Sequence, residues 1–291
     1  MNRLTQESLQ AFPLPQHKQG DNKEGRGQVL LVGGSLSVPG AILLSAEGAL
    51  RAGAGKLQIA TCRSIAPHLG LTMPEAMVIG LPESDSGDIA NHAGEQLRDV
   101  VAGADAVLLG PGMSGSDGMP QLVDAMLEAG GPRTAFVFDA GELCGLTDCL
   151  SRLHSSGHRT VITPHAGEMS RLLDIPRDAI SADPLRYARQ AAAQLRCTVV
   201  MKGGTTYIVG PDSETWMFDG GTIGLATSGS GDVLAGVIAG LLARGTPAIQ
   251  AAIWGVYLHA EAGNRLTRHL GGIGLLAREI PGEIPSIMAE T

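Results

Sequence analysis

Short apolar runs alternate with helical patterns along most of the chain. Gln28 to Val32 is apolar after its first residue and ends in Gly33-Gly34-Ser35, which predicts a buried strand closing on a turn. Ala41 to Arg51 follows as an Ala/Leu helix stopped by Gly53 and Gly55. Lys56 to Thr61, Ala104 to Leu109, Thr134 to Phe138, Arg159 to Ile162 and Thr198 to Met201 read as further strands. Between them Ile89, Ala93, Leu97, Val100 and Val101 recur at helical spacing, as do Leu122, Val123, Met126 and Leu127, and again Leu185, Ala188, Ala191, Ala192 and Leu195. Tyr207 to Val209 and Thr215 to Phe218 predict a hairpin, and from Gly231 onward the pattern is mostly helical. Continuously apolar strands that alternate with helices imply an α/β fold with a mainly parallel central sheet and helices on both faces. No linker rich in Pro, Ser or charge divides the chain, so the expected organisation is a polar N-terminal arm over 1–22 and one domain over 23–291.

Composition narrows the function classes. The 291 residues carry 29 acidic and 21 basic side chains, a formal charge of -8, which argues against a general binder of nucleic acid or anionic membranes. Aromatic residues are 3%, too few for a base-stacking platform. The 41 glycines are roughly double the usual share of about 7%, without a collagen period, so they belong to turns and close backbone approaches. Cys62, Cys144, Cys149 and Cys197 form no CxxC pair, so no structural zinc site is expected. Met1 to Gly27 has no signal-peptide core, and the longest apolar run, Val233 to Ala243, is shorter than the roughly 20 residues a bilayer requires. The expectation is a cytoplasmic protein with reduced thiols.

In such sheets ligands sit beyond the carboxyl ends of the strands, so the chemistry is sought there. Thr227-Ser228-Gly229-Ser230-Gly231-Asp232 opens the helix Val233 to Ala243. Bare backbone N–H groups at a helix N-terminus make a cradle for phosphate or an oxyanion. A capped helix start reads from the same residues, with Ser228 or Ser230 as the cap and Asp232 gaining about 0.3–1 kcal/mol from the helix dipole. A carboxylate inside an anion cradle repels phosphate unless it has a task, and acting as general base on a substrate hydroxyl is such a task. Thr163-Pro164-His165-Ala166-Gly167-Glu168 ends a strand and opens a helix; Glu168 reads as a capping residue, and His165 as either a surface histidine or a site residue. Lys202-Gly203-Gly204-Thr205-Thr206 puts a cation and bare backbone at a strand end, a phosphate contact or a plain turn. Gly33-Gly34-Ser35 with Pro39-Gly40-Ala41 reads as a ligand loop or an ordinary turn. Gly110-Pro111-Gly112-Met113-Ser114-Gly115 matches G-x-G-x-x-G, but Pro111 removes a donor from the turn and Pro120 delays the helix, so it reads as a backbone wall and not a dinucleotide fingerprint. His17, His68, His92, His154, His158, His259 and His269 show no ligand spacing and receive no role.

Taken in order, Val32-Gly33-Gly34-Ser35, Pro39-Gly40-Ala41, Arg51 to Gly55, Met73-Pro74-Glu75, Gly110-Pro111-Gly112, Thr163 to Glu168, Lys202-Gly203 and Gly229 to Gly236 resemble the ADP-dependent NAD(P)H-hydrate dehydratases, a branch of the ribokinase-like superfamily. The resemblance runs from about Lys23 to Met288. It implies a ribokinase-like fold and a lyase that dehydrates the S form of NADHX or NADPHX to NADH or NADPH, with ADP as co-substrate giving AMP and phosphate, and Mg2+ as cofactor. It implies that Ala41, Gly112, His165 and Asp232 face the hydrated dinucleotide, with Asp232 the catalytic base. Lys202, Gly203, Gly204, Thr205, Thr206 and Gly231 would face the adenine nucleotide, and Glu168 would be linked to the metal indirectly, through water. His165 stands where related vitamin kinases carry Asn. Ser228 replaces a common Gly, and Asp139-Ala140-Gly141 departs from the usual D-A-D. The resemblance further implies a homo-oligomer, a tetramer, and a separate epimerase for the R form, since only about 25 residues precede the match. Competing readings are a hydroxymethylpyrimidine- or hydroxyethylthiazole-type kinase, a nucleotide-sensing protein without catalysis, and a Rossmann oxidoreductase.

Overall fold

The apolar runs form ten strands in the computed structural model, which describes residues 1–16, 23–114, 119–155 and 159–291. They are β1 (Asn2–Arg3), β2 (Gln28–Val32), β3 (Lys56–Cys62), β4 (Ala76–Leu81), β5 (Ala106–Leu109), β6 (Ala135–Phe138), β7 (Arg159–Ile162), β8 (Thr198–Met201), β9 (Thr206–Val209) and β10 (Thr215–Phe218). One sheet takes them in the order β1-β10-β9-β8-β7-β6-β5-β2-β3-β4. The run from β8 to β4 is parallel, and β9 is antiparallel to both of its neighbours. All four residues of β5, β6 and β8 are buried, as expected where helices cover both faces.

Some boundaries differ from the sequence reading for local reasons. β5 begins at Ala106, not Ala104, because the Ala104 N–H closes the preceding helical turn on the Val101 carbonyl. Met73 to Met77, read as packing, leads into β4, an edge strand on which Met77 is half exposed. The first sixteen residues, expected as part of a polar arm, are mostly exposed but anchored at a few points. β1 pairs with β10, Leu4 and Leu9 are buried, and the Phe12 carbonyl accepts from Trp254 Nε1 at 2.6 Å.

Two features of this architecture place the site. The chain runs outward through β2, β3 and β4 and then returns to the other side of β2 with β5, so the carboxyl ends of β2 and β5 form a topological switch point. The helix Ser230–Ala243 then lies against the helix Gly40–Arg51. A side chain at Gly236 would run into the Ser45 carbonyl, so the crossing depends on bare backbone. Among the described residues no helix is long and apolar enough to cross a membrane. Cys62, Cys149 and Cys197 are free and buried.

Candidate active site

The carboxyl ends of β6, β7 and β8 deliver Asp139, Thr163 and Lys202 side by side. Thr163 donates to Asp139 Oδ1 at 2.6 Å, and Lys202 Nζ lies 2.9 Å from the same oxygen and 3.6 Å from Glu168 Oε2. Burial alone would lower the Lys202 ammonium, but Asp139 and Glu168 outweigh it and hold Lys202 above its ordinary value, so it is a cation at neutral pH.

His165 caps the helix Ala166–Leu173, so the helix-start signal in the sequence is real. Its Nδ1 accepts from the Gly167 and Glu168 N–H groups at 2.9 and 3.3 Å, while Glu168 Oε2 accepts from the His165 N–H at 2.8 Å. An accepting Nδ1 places the ring proton on Nε2, which faces Glu168 Oε1 at 3.2 Å. Burial lowers the His165 pKa, against the pull of Glu168, and keeps the ring neutral at physiological pH. The cap does not remove it from the site, because His165 also lines a cleft beside Lys202.

That cleft has a volume of about 760 Å³. His165, Lys202, Gly203, Gly204, Thr206, Ser230 and Gly231 form its polar wall, and Phe218, Ile223, Leu225, Leu234 and Val256 its apolar wall. Thr205 adjoins this wall without lining it. Gly231 lies so close to Lys202 that a Cβ there would sit 3.2 Å from Nζ.

The cradle differs from the sequence reading in one respect. The N-cap of the helix Ser230–Ala243 is neither Ser228 nor Ser230 but Gly229, at φ 87°, and no side chain caps the helix start. The Ser230 N–H closes a turn on the Thr227 carbonyl at 3.3 Å, and the Gly231 and Asp232 N–H groups that follow are left for an anion. Asp232 stands in that first turn, half-buried. Burial pushes its carboxyl up to about 7; Asp139 and Glu168 add to the rise, and Lys202 opposes it.

The other two expected site residues meet at the switch point. Ala41 opens the helix Gly40–Arg51, and a Cβ on Gly112 would lie 2.9 Å from the Ala41 methyl. Ser45 Oγ, 3.3 Å from the Ala41 carbonyl, donates to the Asp232 carbonyl at 2.8 Å, which ties this corner to the base of the cradle. Gly110-Pro111-Gly112 packs against the turn after β2, where the Pro111 carbonyl accepts from the Gly34 N–H at 2.7 Å. Gly115, His17 and His158 lie outside the described residues.

The sequence reading missed two participants. Asp139 enters the sequence reading only through the departure from D-A-D and receives no task there. His259, in the middle of the long helix Ala248–Leu270, sits beneath Ser230. No spacing signal links positions 29 residues apart, so only the fold brings them together.

A switch-point corner beside a helix-borne carboxyl and an uncapped helix N-terminus defines the class: the fold is ribokinase-like. The chain belongs to the NAD(P)H-hydrate dehydratase family, whose model matches residues 29–286. It is 46% identical over 287 residues to the ADP-dependent (S)-NAD(P)H-hydrate dehydratase of Xanthomonas campestris, with 98% of this chain and 95% of that protein covered. It is 35% identical to a bifunctional NAD(P)H-hydrate repair enzyme of Moorella thermoacetica, covering 94% of this chain but about half, 52%, of that longer protein. Among solved structures, the ADP/ATP-dependent NAD(P)H-hydrate dehydratase of Bacillus subtilis, co-crystallised with ATP and Mg2+, superposes with a TM-score of 0.83 at 30% identity, covering 99% of this chain and 98% of that one.

Proposed function

We propose that this chain dehydrates the S form of NADHX or NADPHX to NADH or NADPH, converting ADP to AMP and phosphate. The observation that carries the reading is Asp232: a carboxyl held near 7, in the first turn of an uncapped helix, tied through Ser45 to the Ala41–Gly112 corner on one side and adjoining the Lys202–Gly231 cleft on the other. A general base works best when its pKa lies near the operating pH.

In this reading the hydrated nicotinamide sits against Ala41, Gly112, His165 and Asp232. ADP occupies the cleft, its adenine against the apolar wall and its phosphates against Lys202, Gly203, Gly204, Thr205, Thr206 and Gly231. Asp232 takes the proton of the C6 hydroxyl as that oxygen attacks the terminal phosphorus of ADP and AMP leaves. The first N–H groups of the helix and Lys202 stabilise the charge that develops on the transferring phosphoryl oxygens. The ring nitrogen then expels phosphate from C6, and loss of the C5 proton restores the dihydropyridine.

Mg2+ fits this donor set as a phosphate-borne ion. No group of three or more His, Cys, Asp or Glu side chains that could hold a metal exists among the described residues, and Mg2+ is commonly held by one or two carboxylates plus substrate phosphates. Glu168, through water, and Asp139 beside it would hold the ion. Its chemistry there is neutralisation of phosphoryl charge.

Absorbance of the dihydronicotinamide tests the function. Purified protein mixed with S-NADHX should restore the absorbance with ADP, more slowly with ATP, and not without nucleotide. Equal turnover in the absence of any nucleotide would refute the phosphorylation route.

A further inference from the structure

His259 has been given no task so far. Its side chain is buried beneath the first turn of the helix Ser230–Ala243, where Nε2 lies 2.9 Å from Ser230 Oγ and 3.0 Å from the Ser230 carbonyl oxygen. Those two distances settle the proton on the ring. A carbonyl oxygen only accepts, so an unprotonated Nε2 at 3.0 Å would set two acceptors against each other. Nε2 therefore carries the hydrogen, which is shared between the carbonyl at 3.0 Å and Ser230 Oγ at 2.9 Å. Burial drives the imidazole pKa down to about 4, and the nearby Lys202 charge further disfavours a second ring proton.

Two consequences follow at the cradle. An Nε2–H facing Ser230 Oγ cannot receive that hydroxyl's hydrogen, so the hydroxyl accepts from the ring and its own hydrogen turns elsewhere. Ser230 lines the cleft, and no other described acceptor takes that hydrogen. The second consequence concerns the next peptide. The peptide between Ser230 and Gly231 is trans, as no cis bond occurs among the described residues, so a Ser230 carbonyl held toward His259 points the Gly231 N–H the opposite way.

We infer that His259 is a positioning residue for nucleotide binding: its Nε2–H fixes the Ser230 carbonyl and leaves the Ser230 hydroxyl as a donor to a phosphoryl oxygen, beside the Gly231 N–H and Lys202. A terminal phosphoryl group presents three oxygens and accepts only, so a hydroxyl kept from donating inward is a useful third contact. The inference rests on the proposed nucleotide-dependent function, and concerns a residue at the floor of the same cleft that acts through Ser230.

The test is a double-mutant cycle read by calorimetric titration of ADP and, separately, by kcat and KM for ADP. Ser230→Ala and His259→Leu should each weaken ADP binding about tenfold and raise KM accordingly. The double variant should bind more weakly than Ser230→Ala alone, but by less than the product of the two single losses, because only the carbonyl contact remains for His259 to lose. His259→Gln, whose amide can still donate, should stay within about threefold of wild type. Multiplying losses in the double variant would overturn the inference, as would wild-type ADP affinity in a folded His259→Leu protein. Should His259→Leu lose its native circular dichroism, the same cycle with His259→Ala decides on the same criteria. Wild-type protein that fails to bind ADP at all would overturn the functional reading, and this inference with it. Wild-type protein that binds ADP and is indifferent to His259 overturns the inference alone.

Discussion

Asp232 can be read as a helix-start residue or as a base, and the two readings predict opposite signs. A cap or dipole role would make Asp232→Asn cost up to about 1 kcal/mol. The structure gives the helix a Gly229 cap with no side-chain bond, and it raises the carboxyl to about 7, so the folded protein disfavours the ionised form. Between the ordinary carboxyl value and about 7 the unfolded chain holds fewer protons than the folded one, so this group's contribution makes stability fall as pH rises through that window. Asp232→Asn should therefore be at least as stable as wild type in urea at pH 8, with the difference vanishing near pH 4. The same variant should keep ADP affinity and lose at least about 10²-fold in kcat. Near wild-type kcat would make Asp232 structural. In the wild type kcat/KM should rise with pH along an acid limb centred near 7, because only the ionised carboxylate accepts the hydroxyl proton. Four groups bear on that titration: Asp139, Glu168 and Lys202, whose charges act on the carboxyl directly, and His165, which pairs with Glu168. An acid limb at the ordinary carboxylate value would show that Asp232 is not the titrating base.

The helix Ser230–Ala243 carries the cradle, and its position depends on the close crossing with the helix Gly40–Arg51. Gly236→Ala places a methyl against the Ser45 backbone and should destabilise the protein by about 1–3 kcal/mol, read as a lower urea midpoint. Since Ser45 also holds the Asp232 carbonyl, kcat should fall in the same variant while it remains folded. An unchanged midpoint would mean that the helices separate without strain. Legibility in the sequence followed burial. β2, β7 and β8 read clearly because their apolar residues are buried, whereas β4 is an apolar run from Ala76 to Leu81 that lies at the sheet edge with only Leu81 buried, so burial and not the apolar pattern sets it apart. The short turns of helix over Ala140–Cys149 have no amphipathic period to detect. Gly231, Lys202 and His165 could be picked out because strand ends and helix starts are marked by Gly, Pro and charge. His259 could not, since a histidine on the buried face of a long helix looks like core until the fold puts Ser230 above it.

At the scale of the molecule, a chain of formal charge -8 is proposed to bind two anionic ligands at once. Its overall field does not draw them in, so local donors must: one buried-site lysine, the bare N–H groups of a helix start, and glycine backbone at the ends of β8 and before the helix. The ten-stranded sheet places the Ala41–Gly112 corner at the switch point and a cleft over β7 and β8, and Asp232 stands in the helix that links the two. In the proposed reaction, phosphoryl transfer and loss of the phosphorylated hydroxyl take place in one site, whereas a kinase would release a stable phosphorylated alcohol. The most direct measurement is therefore product stoichiometry by phosphorus NMR and chromatography, with S-NADHX and ADP as the only substrates. One AMP and one inorganic phosphate should form for each NADH restored, with no phosphorylated cofactor accumulating. NADH formed without AMP, or a stable phosphorylated dinucleotide in place of NADH, would contradict the account.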